Sequence, residues 1–191
     1  KKFPFAFQLI TTYTLEGNAV SHRVEIINDS DEVMPFGFGF HPGFNCPFEE
    51  GKATQDYVLR FDAPQSPVVV ETGEQDGLVT GERRPLFQNE TDIPLTDTLF
   101  AHDSICMTKL TAKTLSVVEK ATGRSVDVEI AGFPYVLIWS APGPLHFVCI
   151  EPWHSLPDTR NASGQWSEKP AAAQLNPGQR FATALKMRFN R

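Results

Sequence analysis

Cysteine is scarce in this sequence, with Cys46, Cys106 and Cys149 the only three in 191 residues. Their odd number and the lack of any C-x-x-C pair exclude a zinc ribbon and a disulfide framework. Long hydrophobic runs are missing too: no segment is apolar for long enough to form a membrane-spanning helix. The opening KKFPFAFQLI lacks the small-residue cleavage site of a signal peptide. Positive charge is the minority, 17 Lys and Arg against 23 Asp and Glu, for a net charge of -6. Clusters of basic residues that a phosphate backbone would attract are absent. Together these absences exclude nucleic acid and membrane as partners and point to a reducing cytoplasm.

Sustained apolar spacing of three and four is also lacking, whereas period-two alternation recurs along the chain. FAFQLITTYTL and AVSHRVEII alternate on either side of the turn EGN and predict a hairpin. TLSVVEKATGRSVDVEI and YVLIWSAPGPLHFVCIE repeat the pattern around ATG and PGP, and RFATALKMRF supplies a final alternating run. The expected fold class is all-β, a large antiparallel β-sandwich, because one open sheet of this size would leave an apolar face in water. EEGKATQD and RNASGQWSEKPAAAQ are expected as surface loops, and residues 1–191 as one domain. The chain opens on Lys1 and runs almost at once into a strand, as a processed or partial polypeptide would.

Two stretches carry candidate chemistry. In FGFGFHPGFN, residues 36–45, Gly37 and Gly39 remove side chains from one strand face, where a ligand or another backbone can approach, while phenylalanines alternate on the other. Pro42 restricts His41 to extended geometry and gives its imidazole a defined exit. In LHFVCIEPWHSLPD, residues 145–158, an apolar strand ends in Glu151. Burial beside an indole raises the pKa of such a carboxylate toward that of a general base near neutral pH. Trp153 offers a flat apolar platform for the C–H face of a sugar. Asp103, in LFAHDSIC, stands before another apolar run, where an aspartate serves either a turn or a ligand.

These segments together resemble the aldose 1-epimerase (mutarotase) family, in its LacX-like branch. The resemblance is carried by MPFGFGFHPGFNCPF, LTDTLFAHDSI, VCIEPWHSLPD and the LNPGQ before the last strand. It implies a galactose mutarotase-like sandwich that binds a free aldose, of glucose or galactose type, and interconverts its α and β anomers without metal or organic cofactor. By the same resemblance His41 matches the family's acid, Glu151 its base and Asp103 an aspartate that holds sugar hydroxyls. Trp153, Asn45 and His154 are expected to bind or position the sugar. Family members also carry N-terminal strands with a His-Gly-Phe-type motif that nothing in these residues matches. The resemblance therefore implies exposed sheet edges, completed by a separate N-terminal segment or by a homo-oligomer.

Other readings compete with this one. A sugar-binding or sensing module would keep the fold and Trp153 without catalysis. A hexose-6-phosphate 1-epimerase would need converging arginines, and Arg60, Arg83, Arg84 and Arg160 are scattered. A metal site from His41, Glu151 and His154 is disfavoured because Pro152 breaks the helical spacing that Glu-x-x-His requires. A glycosidase would need Glu151 and Asp103 as paired carboxylates.

Overall fold

The computed structural model describes residues 3–74 and 76–191. The strands are β1 (Phe7–Glu16), β2 (Ala19–Asn28), β3 (Met34–Phe36), β4 (Gly43–Asn45), β5 (Tyr57–Gln65), β6 (Val68–Thr72), β7 (Val79–Pro85) and β8 (Glu90–Pro94). They continue as β9 (Ile105–Thr108), β10 (Thr114–Glu119), β11 (Ser125–Glu129), β12 (Tyr135–Trp139), β13 (Phe147–Trp153), β14 (Ala173–Leu175) and β15 (Arg180–Asn190). Only two short 3₁₀ turns, Thr54–Asp56 and Trp166–Glu168, interrupt this all-β pattern among the described residues. Both fall inside segments expected as loops.

Seven strands form one sheet in the order β1-β2-β15-β11-β10-β5-β8, and six form the other in the order β4-β13-β12-β9-β6-β7. A small third sheet pairs β14 with β3. All ladders between these strands are antiparallel. Alternation determines which side chains meet between the sheets. Val24, Leu59, Phe61, Leu115, Val128 and Leu185 of the first sheet share a core with Val69, Met107, Val136, Ile138, Val148 and Ile150 of the second. Each such side chain, fully buried, contributes about 1.5–3 kcal/mol of transfer free energy.

The outer face of the six-stranded sheet carries a second, smaller apolar cluster of Val70, Val79, Cys106, Leu137 and Leu156, packed by Tyr135 and Trp153. Its register is set by the β12–β13 hairpin, in which Tyr135 lies across from Trp153, Leu137 from Glu151 and Trp139 from Cys149. Cross-strand partners project to the same side of an antiparallel sheet. Glu151, Cys149 and Trp153 thus share the outer face, with Val148 and Ile150 in the core behind them.

At the edge of the seven-stranded sheet, β1 is exposed along its whole length. Phe7, Leu9, Ile10, Tyr13 and Leu15 present large apolar side chains there. A long edge strand of this composition is the feature that natural sheets ordinarily cover or blunt.

Candidate active site

His41 is delivered to the outer face by the segment that precedes β4. Phe36 and Phe40 are buried in the core, with Phe38 packed against it, so the intervening Gly37, Gly39 and His41 fall on the opposite side. The main chain is stitched to β13 by Phe40 N–H donating to Pro152 O at 3.0 Å and His154 N–H donating to Phe38 O at 2.9 Å. Two strand segments thereby hold the imidazole over the end of β13.

The result is a close pair: His41 Nε2 lies 3.3 Å from Glu151 Oε1. Their environments differ sharply. The His41 side chain is 55% exposed, whereas that of Glu151 is only 2% exposed. Burial is the main reason the Glu151 carboxyl is pushed up to about 8, and the negative charge of Asp103 adds to it. A carboxyl poised there can both lose and regain a proton near neutral pH.

Asp103 acts on Glu151 from the loop between β8 and β9. It adopts a left-handed φ of 83°, uncommon for a residue with a side chain, and its N–H closes a turn on Phe100 O at 3.2 Å. The half-buried carboxylate is near enough for its charge to oppose ionisation of Glu151.

Trp153 lies two residues beyond Glu151 on the same face. Its indole N–H donates to Phe40 O at 3.1 Å, which locks the ring across Gly39. A groove of ≈ 410 Å³ runs from His41 past Trp153 to Ser155, Leu156, Trp166 and Lys169. Two indoles and a lysine along one groove offer apolar surface and a hydrogen-bond donor to a polyhydroxylated ring.

The glycines open room for the protein's own side chains, where the sequence suggested room for a ligand. A β-carbon on Gly37 would sit 2.6 Å from Ser155 Oγ, and one on Gly39 would sit 2.9 Å from Trp153 Nε1 and nearer still to other indole atoms. Gly39→Ala is therefore expected to expel the indole from its seat. The expected cost is about 1–3 kcal/mol of stability, read by denaturant unfolding, with a shift in tryptophan emission.

Asn45 and His154 are not brought to the pair. Asn45, at the far end of β4, lines a separate hollow of ≈ 610 Å³ with Phe48, Arg124 and Phe189, which contains neither His41 nor Glu151. His154 follows Trp153 and so turns toward the opposite side, where Nε2 meets Thr183 Oγ1 at 2.9 Å. Its ring packs on Phe133 and Phe181, and burial lowers its pKa.

Two neighbours of the pair escaped the sequence reading. Trp139 stands edge-on to the His41 ring with centroids 5.9 Å apart, and Cys149 approaches both His41 and Glu151. Counting outward from PGP would have placed both, since the hairpin register sets Trp139 opposite Cys149. Of the four scattered arginines, Arg60 pairs with Asp92, Arg84 with Glu71 and Arg160 with Asp76, so these three carry carboxylate partners of their own.

Comparison with known proteins agrees with this architecture. The family model described as Aldose 1-epimerase matches residues 1–188. Protein LacX of Lactococcus lactis subsp. lactis is 28% identical over 175 residues, covering 91% of this chain and 58% of LacX. The structure of a galactose mutarotase related enzyme from Lactobacillus acidophilus superposes with a TM-score of 0.90 at 29% identity, over 99% of this chain and 63% of that one. A galactose mutarotase-like protein from Lactobacillus casei gives 0.87 at 26% identity, over 98% of this chain and 65% of that one. The chain thus spans somewhat under two thirds of the length of each relative.

Proposed function

The chain belongs to the aldose 1-epimerase family, and on that premise we propose that it interconverts the α and β anomers of a hexose by general acid–base opening of the ring. The observation that carries this reading is the contact between His41 Nε2 and Glu151 Oε1 at 3.3 Å, one partner open to solvent and the other buried.

Opening a cyclic hemiacetal breaks the bond between the anomeric carbon and the ring oxygen. The anomeric hydroxyl loses its proton as the ring oxygen gains one, so a base and an acid must reach the two oxygens of one carbon. Glu151 takes the hydroxyl proton and His41, protonated, supplies the other. Rotation about C1–C2 in the open aldehyde exposes the opposite carbonyl face. The ring then closes with the two groups in exchanged roles, His41 recovering its proton and Glu151 returning its own.

Each proton transfer to or from a positioned group is worth about 10²- to 10⁴-fold, and holding the sugar against both supplies further acceleration. Asp103 keeps the Glu151 conjugate acid from being too strong, and Trp153 gives the ring a platform. The test is polarimetry on freshly dissolved α-glucose and α-galactose. The expected result is a decay of rotation faster than the spontaneous one and proportional to protein concentration. Sugar binding with no acceleration would instead favour a binding module.

A further inference from the structure

Three ligand atoms of different chemistry meet at the pair. His41 Nε2, the Cys149 sulfur and a Glu151 carboxylate oxygen all lie within 4.8 Å of one another. Cys149 stands one step along the same strand face from Glu151, 3% exposed. It faces Gly43 across the ladder, and a β-carbon there would sit 3.4 Å from the sulfur, so the glycine backbone packs directly beside it. Two donors are thus fixed in the sheet, and the third, His41, closes the set from the solvent side.

Zinc binds imidazole, thiolate and carboxylate tetrahedrally at roughly 2.0–2.3 Å, so two donors sharing one ion stand roughly 3.3–3.7 Å apart. The His41–Glu151 contact of 3.3 Å already meets that, and a side-chain movement of roughly an ångström brings in a donor as far away as 4.8 Å. Magnesium and calcium, which require sets of oxygen ligands, do not suit it. Nor does the Pro152 objection to a Glu-x-x-His site apply. The donors come from two strand segments, with Cys149 in the place that His154 cannot take.

We propose that His41, Cys149 and Glu151 form a three-ligand site for zinc or a similarly thiophilic divalent cation, with its open position toward solvent, and that occupancy shuts off the acid–base pair. The ion displaces the thiol proton, and the Glu151 proton where that carboxyl carries one, to solvent and forms bonds to sulfur and oxygen, with no change of oxidation state. It also claims the imidazole lone pair and the carboxylate, so neither is free to exchange a proton with a sugar. Binding follows from the donor geometry alone, whereas inhibition rests on the acid–base reading above, and the two are measured separately.

The test titrates the protein with Co²⁺, which reports sulfur ligation through a thiolate-to-metal absorption band, and then displaces it with Zn²⁺. One equivalent of Co²⁺ is expected to produce the band. Cys149→Ser abolishes it, Glu151→Gln weakens it, and Cys46→Ser and Cys106→Ser leave it in place. Zn²⁺ is expected to slow anomerisation in competition with the sugar, and Cys149→Ser to lose that sensitivity. Absence of the band, or a band unchanged by Cys149→Ser, overturns the site. A Cys149-dependent band without inhibition leaves the site standing and overturns its effect on the pair. If Cys149→Ser fails to fold, persistence of the full band in Glu151→Gln serves as the contradicting result.

Discussion

Glu151→Gln lowers the anomerisation rate by about 10²- to 10⁴-fold, the contribution of one positioned base, while sugar affinity stays close to that of the wild type. Glutamine keeps the shape and the hydrogen-bonding oxygen but cannot take a proton. The mechanism needs Glu151 ionised and His41 protonated at the same time, so the wild-type rate is expected to pass through a maximum with pH and to fall on both sides of it. Stability changes in one direction only. The folded-state pKa of about 8 lies above the reference value of 4.5, so the folded chain binds the proton more tightly than the unfolded one. That contribution to stability is complete below 4.5 and is lost as pH rises through 8. Glu151→Gln removes the titration, so its stability relative to the wild type improves steadily from pH 5 to pH 9 in denaturant unfolding. Equal slopes for the two proteins would contradict the burial argument.

His41→Asn produces the second large effect, a loss of about 10²- to 10⁴-fold in kcat with little change in KM. The imidazole is mostly exposed, meeting Glu151 at 3.3 Å and standing edge-on to Trp139, so its removal costs the fold little. The Glu151 carboxylate remains in its buried seat in this variant, but it can take the anomeric proton only as the ring oxygen gains one, and without the imidazole that second proton has no positioned donor. Unaltered unfolding midpoints beside a collapsed rate separate this chemical loss from a structural one.

How far the sequence disclosed this arrangement depends on locality. The β12–β13 hairpin was legible because PGP separates two apolar runs, and its register alone places Glu151 and Trp153 on one outer face. The position of His41 was legible for a similar reason: phenylalanines at 36, 38 and 40 force the residues between them to the opposite side. The glycines beside it misled, because a missing side chain does not announce what fills the space, and here Trp153 and Ser155 do. His154 shows the limit of proximity in sequence. One residue past Trp153, period-two alternation turns it toward Thr183 and away from the pair. β6, β7 and β8 were not distinguished in advance, since VVV and ERRP alternate too little to separate strand from loop, and long-range pairing determines their state. Asp103 reaches the site through a left-handed turn that local pattern does not encode.

One imidazole and one carboxylate must work on a single ring as a unit. The most direct measurement is polarimetry on the double variant His41→Asn/Glu151→Gln beside the two single variants. Groups acting in concert on one hemiacetal predict a double variant little slower than the worse single one, as interdependent catalytic residues are strongly non-additive. Losses that multiply fully, or a double variant as fast as the wild type, would contradict it.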